Sequence, residues 1–268
     1  MVVWDQKLSS GPGDGTGASA GVQTVTRALA ILDVLARSPG STLPQLAREL
    51  KLHPSTTRRL LGVLEGNGYV RREAPGFALG FRLVELAGAA LHHTDLVRLS
   101  VSELDQLRDR LGLNANLAVL AGGDVLHLAY AVRSDTPRYY TAVGRRAVAH
   151  STALGKVLLA FEPRERVHET VERFGWRPYT PNSIQDPARL DRELDEVARR
   201  GYAIDREERR LGNACLAAPV RDRARRVVAA ISVSGSLAAV DRIGLDVIRR
   251  EVTEHARQIS AKLGFMDD

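Results

Sequence analysis

The 268-residue sequence holds one cysteine, two methionines, two tryptophans and only 5% aromatic residues. The single cysteine, Cys215, excludes an internal disulfide framework and suits a reducing cytoplasm. No apolar run approaches the ~18–20 residues that span a bilayer, so no membrane partner is expected. The opening stretch, MVVWDQKLSSGPGDGTGASAG, lacks a basic region followed by an apolar one, which argues against a secretory signal. Its glycines follow no strand and lack the spacing of a dinucleotide fingerprint. Catalytic signatures are missing too. STALGKV has Gly-Lys without the rest of a phosphate loop, no Gly-x-Ser-x-Gly elbow occurs, and HETVE lacks the second histidine of a zinc protease. No enzyme activity and no cofactor are expected.

What is present is an ordinary core-forming composition, 44% hydrophobic and 26% charged, with a net charge of +6. This length suggests two domains. Residues 1–21, rich in Gly and Ser, read as a disordered tail. From Thr24, Val25, Ala28, Leu29, Leu32 and Leu35 recur at helical spacing until Pro39-Gly40. A short helix follows from Leu43, and a third runs from about Pro54 to Glu65. GNGYVRREAPGFALG then reads as strand, turn and strand. A connector helix is expected within residues 81–95, and another helix over 96–111. Beyond it the texture changes. A hairpin turns at Gly122-Gly123-Asp124, and a strand is expected near Arg138–Val143. Helices follow at about 152–161, 163–174 and 187–200, then strands in GYAID, CLAAPVRD and RVVAAISVSG. A last helix covers 241–263. The fold class is therefore α+β: a helical module with a β-ribbon over 22–80, a linker at 81–95, and a larger domain over 96–268.

The basic charge is concentrated. Between residues 51 and 72 stand Lys51, Arg58, Arg59, Arg71 and Arg72, against one acid, Glu65. Projected at 100° per residue, Thr57, Leu60, Leu61 and Leu64 share one face of the third helix. Ser55 and Arg59 lie opposite, flanked by Thr56 and Arg58. Two helices joined by a Lys51-Leu52-His53 turn make a helix-turn-helix, whose second helix presents its first residues to the major groove. Ser55 and Thr56 can donate to phosphate or base edges, and Arg59 can grip a guanine. Cations in a first helical turn cost ~0.3–1 kcal/mol, which a bound polyanion would more than offset. The two strands form a wing, with Arg71 and Arg72 poised for phosphate or the minor groove. An exposed basic face would look much the same; the combination of three helices, basic turn and wing favours duplex DNA.

At these motifs the sequence resembles the IclR family of bacterial transcription regulators, from about Val22 to Leu263. The likeness rests on TLPQLARELKLHPSTTRRLLGVLEGNGYV, GFALGFRLVELA, HSTALGKVLLA, GYAIDREERRLGNACLAAPVRD and VVAAISVSG, in that order. It implies a winged helix-turn-helix joined by a linker helix to an effector-binding domain with a GAF-like, curved antiparallel sheet. It also implies homodimers or dimers of dimers on palindromic operators, acting as repressor or activator under a small carboxylate or aromatic-acid effector.

By that resemblance the effector site comprises the helix start at Ala153, Leu154 and Gly155, with Asp205, Cys215, Ser232 and Ser234. Alternation supports part of the set, since Ser232 and Ser234 share one strand face and Ile231 and Val233 the other. Ser151 or Thr152 can cap the helix. Gly155 costs ~1 kcal/mol inside it, so either packing against the sheet or a carboxylate cradled by the amides keeps it there. Other readings stay open. Cys215 also suits a small buried hydrophobe, and Asp205 a surface pair with Arg206 or Arg209. Asp205, Cys215 and His150 form a weaker zinc alternative. The loop FGWRPYTPNSI (174–184) reads as a pocket cover or as a packed connector.

Overall fold

A computed structural model describes residues 20–92, 95–135 and 143–266, which divide between residues 93 and 94 into two compact units. The expected strand near 138–143 lies almost wholly outside the described residues, as does the tail up to residue 19. Residues 20 and 21 belong to the first helix.

In the first unit, α1 (Ala20–Arg37), α2 (Leu43–Glu49) and α3 (Pro54–Gly66) precede strands β1 (Val70–Glu73) and β2 (Gly76–Leu79), and α4 (Arg82–His92) follows. Helix α1 starts at Ala20, five residues before Val25 opens the apolar stripe. Thr42 and Gln45 form a capping box at α2, the Gln45 carbonyl taking the Thr42 N–H at 2.7 Å. Pro54 opens α3 where its missing N–H costs nothing. The buried face of α3 is Thr57, Leu60, Leu61 and Leu64, as the projection requires. These leucines close over Ile31, Val34 and Leu35 of α1, Leu46 of α2, and Val70 and Phe77 of the ribbon. The ribbon is antiparallel, pairing Arg71 with Ala78 and Arg72 with Phe77.

The second unit is built on a six-stranded antiparallel sheet. Its strands in chain order are β3 (Asn114–Ala121), β4 (Asp124–Ala131), β5 (Arg146–Ala147), β6 (Ala203–Arg206), β7 (Asn213–Arg221) and β8 (Val227–Ser236). In space they run β5-β4-β3-β8-β7-β6. Strict alternation on the central strands gives the sheet two different faces. Ala115, Leu117, Ala229, Ile231 and Val233 meet α5 (Asp95–Leu111) and α10 (Leu245–Lys262). The opposite face carries small residues, Ala118, Ala203, Ala217 and Ala230. It is covered by α6 (Ala153–Leu159) together with α7 (Arg164–Phe174) and α8 (Pro187–Arg200). The expected final helix is two helices. Gly244, at φ 91°, ends α9 (Leu237–Ile243) and turns the chain into α10, a backbone angle that side-chain-bearing residues rarely adopt. No helix among the described residues is long and apolar enough to cross a membrane.

Candidate nucleic-acid interface and effector cup

The start of α3 is organised by a residue that composition does not advertise. His53 is its N-cap, and Nδ1 lies 2.7 Å from the Ser55 hydroxyl and 3.3 Å from the Ser55 N–H. Ser55, Arg58 and Arg59 are exposed and Thr56 is half-buried. Neither Arg58 nor Arg59 forms an ion pair among the described residues, so both guanidiniums stand ready for an outside anion.

The wing arginines differ. Arg72 donates Nε to Glu65 Oε1 at 2.9 Å and lies 5.3 Å over the Phe77 ring. Arg71 donates to the Leu79 carbonyl at 3.2 Å, pairs with Glu73 and lies 5.7 Å over Phe81. Glu65 therefore ties the wing to the end of α3.

In the second unit the register brings distant residues onto one face. Asp205 lies opposite Cys215, Cys215 opposite Ser234, and Ser234 opposite Asn114. One step along, Ser232 stands between Ala217 and Asn116, and Asn116 faces Tyr130. Asn116 Nδ2 donates to Ser232 Oγ at 3.2 Å and to Ser234 Oγ at 3.4 Å.

Asp205 is 2% exposed and forms no ion pair among the described residues; Arg206 instead pairs with Asp241 at the surface. Its Oδ1 accepts the Glu208 N–H at 2.8 Å and the Arg209 N–H at 3.4 Å. Burial, reinforced by the Glu208 charge, pushes the Asp205 carboxyl up to about 6. Burial also raises the Cys215 thiol, with Asp205 adding to the effect.

Beside Asp205 lies an ion cluster that no motif signals. Lys156, 1% exposed, donates to Glu208 Oε1 at 2.6 Å and to the Ile204 carbonyl at 2.5 Å, and lies 3.2 Å from Glu193 Oε1. Its partners are far away in sequence, which is why only folding reveals it.

Thr152, not Ser151, caps α6, accepting the Gly155 N–H at 3.1 Å. That amide is therefore already engaged, while those of Ala153 and Leu154 open the helix. A Cβ on Gly155 would strike the Ala149 carbonyl, so the glycine admits the preceding turn of backbone rather than the sheet. Ser151, freed from capping, is buried with no partner for its hydroxyl among the described residues.

It is not alone. Tyr130 hydroxyl, His127 Nδ1, His150 Nε2, Glu208 Oε2 and Arg209 Nη1 are also buried without hydrogen-bond partners among the described residues. Buried polar groups are rarely left so, because each costs ~1–3 kcal/mol. Burial lowers both His127 and His150 to about 4, leaving them neutral. The loop 174–184 closes over this region: Trp176 packs 5.4 Å from His150, and Tyr179 lies 3.5 Å beneath the Arg209 guanidinium. Thr180 and Ser183 hydroxyls donate to the Glu207 and Glu208 carbonyls, both at 2.6 Å. Among the described residues no group of three or more His, Cys, Asp or Glu side chains is placed to hold a metal ion.

Comparison with known proteins agrees with this two-part construction. Residues 24–74 match the IclR helix-turn-helix domain, and residues 88–261 match the description "Bacterial transcriptional regulator IclR C-terminal". The chain is 34% identical over 254 residues to the HTH-type transcriptional regulator BhcR of Paracoccus denitrificans, covering 93% of this chain and 91% of that one. It is 31% identical to the transcriptional repressor IclR of Escherichia coli, covering 93% of each. A crystal structure of an IclR homologue from Microbacterium hydrocarbonoxydans, complexed with 4-hydroxybenzoate, superposes with a TM-score of 0.78 at 25% identity. That match spans 90% of this chain and 99% of that one. With the helix-turn-helix in one unit and the curled antiparallel sheet in the other, the chain belongs to the IclR family, whose matched members are DNA-binding transcriptional regulators.

Proposed function

We propose that this protein binds a palindromic operator as a dimer or dimer of dimers, and that a small organic acid held on the serine-bearing sheet face modulates the binding. Ser55, Thr56, Arg58 and Arg59 read or grip DNA from the start of α3, while Arg71 and Arg72 meet the phosphate backbone from the wing. Ala153, Leu154, Gly155, Asp205, Cys215, Ser232 and Ser234 hold the effector. Gly155 contributes shape rather than its amide. No metal takes part, and the protein works in the cytoplasm.

One observation carries the effector reading: the buried polar atoms without partners among the described residues, around a face of small side chains. A purely architectural DNA binder has no use for so many unpaired groups. Self-association is supported by the first unit. Val22, Val25 and Leu29 of α1 are more than half exposed, and Phe81 and Val84 more so. An apolar surface of this kind is normally covered, and a second copy of the same helices covers it symmetrically. The dimer would set two recognition helices about one DNA turn, ~34 Å, apart. The effector would favour one spacing, with the connector at 81–95 as the lever.

The test is a thermal-shift screen of small carboxylic acids, followed by footprinting of the gene's own promoter with and without each stabilising compound. Stabilisation by an acid that also alters the footprint is expected. No footprint at low salt, with or without any acid, would refute the proposal.

A further inference from the structure

The turn before α3 holds His53 at both ends. Leu52 is half-buried against the core of the first unit, while Lys51 and His53 on either side of it are exposed. Pro54 keeps the residue before it extended, and His53 stands at φ −65°, ψ 140°. Its carbonyl is held by the buried Thr57, which donates its N–H at 3.0 Å and its hydroxyl at 3.2 Å. The backbone of the cap therefore has little freedom.

Ser55 fixes the ring. A backbone N–H only donates, so the 3.3 Å contact from the Ser55 N–H makes His53 Nδ1 an acceptor. The Ser55 hydroxyl lies 2.7 Å from the same nitrogen and must give its proton there as well. An imidazole with a bare Nδ1 carries its one proton on Nε2. The ring is exposed, and among the described residues nothing meets Nε2. The helix start thus shows one uncommitted donor, and it is on the histidine. Ser55 is left with lone pairs only, which a phosphate oxygen would repel.

We propose that His53 itself touches the duplex, donating Nε2–H to an acceptor on the DNA, and that Ser55 serves by holding the ring rather than by contact. The proposal rests on α3 being the recognition helix, and it moves the donor of that helix start from Ser55 to His53. Protein–DNA hydrogen bonds go mostly to phosphate and sugar oxygens, with base edges next. An uncharged donor adds affinity at either place without releasing a condensed counterion, which separates it from the arginines nearby.

The experiment is a gel-shift titration of the full chain, counted per folded protein, on the footprinted promoter fragment and on unrelated duplex across a salt series. Asparagine puts an oxygen where Nδ1 stands, and glutamine puts an amide nitrogen where Nε2 stands, so two variants divide the work of the ring. His53→Asn keeps the cap and melts with the parent, yet binds roughly three- to thirtyfold more weakly with its salt slope unchanged. His53→Gln loses the cap and melts lower, yet recovers most of the affinity. Equal losses on both duplexes assign the acceptor to phosphate; a loss confined to the promoter fragment assigns it to a base edge. Ser55→Ala weakens the parent but adds little in the His53→Asn background, as a residue acting through the ring must. Unchanged DNA binding by His53→Asn, or a Ser55→Ala loss undiminished in that background, overturns the proposal. If Arg59→Ala and Arg71→Ala also bind like the parent, the interface itself is wrong; if those two weaken, only the histidine contact is.

Discussion

Arg72 on the wing reaches back to Glu65 near the end of the recognition helix, Nε to Oε1 at 2.9 Å, and so holds the ribbon at a set angle to α3. The pair is exposed, so its own stability contribution is small, ~0–1 kcal/mol. Its effect is on geometry and on charge. Glu65→Gln frees the Arg72 guanidinium for phosphate, and sequence-independent affinity should rise with a steeper salt dependence. Gel shifts on unrelated duplex across a salt series measure this, and an unchanged slope would show Arg72 staying clear of DNA.

Arg59 should behave differently, because it is exposed on the outer face of α3 with no ion pair to hold it among the described residues. Arg59→Ala should weaken operator binding by about 1–3 kcal/mol and relax base preference at one position of each half-site. Arg71→Ala should lower affinity for all sequences evenly. Binding-site selection with the two variants distinguishes the outcomes.

Asp205 makes the ligand-free protein less stable at neutral pH. Its folded carboxyl titrates at about 6 against an ordinary 3.8, so protonation favours the folded state. The stability is fully present below 3.8 and lost as pH rises through 6, ~3 kcal/mol in all. Asp205→Asn should therefore melt higher than the parent at pH 7.5, with the gain shrinking toward pH 4. His127 and His150, held at about 4, act in the other direction: their stability is present above 6.5 and lost as pH falls through 4. They act equally in parent and variant, so the difference between the two melting curves isolates Asp205.

Gly155→Ala should destabilise the second unit although alanine is the better helix former. The helix gain of ~1 kcal/mol is outweighed by the collision with the Ala149 carbonyl, which is backbone and cannot swing aside. A net loss of about 1–3 kcal/mol is expected by calorimetry, with DNA affinity of the folded protein unchanged.

Much of the architecture was legible because it is local. The stripe Thr57, Leu60, Leu61 and Leu64 fixes the inner face of α3 by period alone, and the alternation of Ser232 and Ser234 with Ile231 and Val233 fixes the two faces of β8. The break at Gly244 was not legible. A positive φ leaves no mark on hydrophobic periodicity, and the flanking apolar residues carry on through it. His53 as the cap of α3 was missed because histidine is a rare cap.

The sheet face proposed to hold the effector was readable only along its strands. Asn116 and Ser232 are 116 residues apart, and Lys156 and Glu208 are 52 apart. Nothing local marks the first pair or names the partners of the second. A lysine inside an apolar helix, LGKVLL, was the one available signal for the ion cluster, since burying that charge demands carboxylates nearby.

That lysine has a mechanical side. Its ammonium is shared between Glu208, in the loop after β6, and Glu193 on α8, which Arg200 also grips at 3.1 Å. The loop after β6 and helix α8 thus hang from one shared ammonium. Any molecule that tugs Glu208 toward itself must either stretch that link or drag α8 along, converting occupancy into displacement on the outside of the domain.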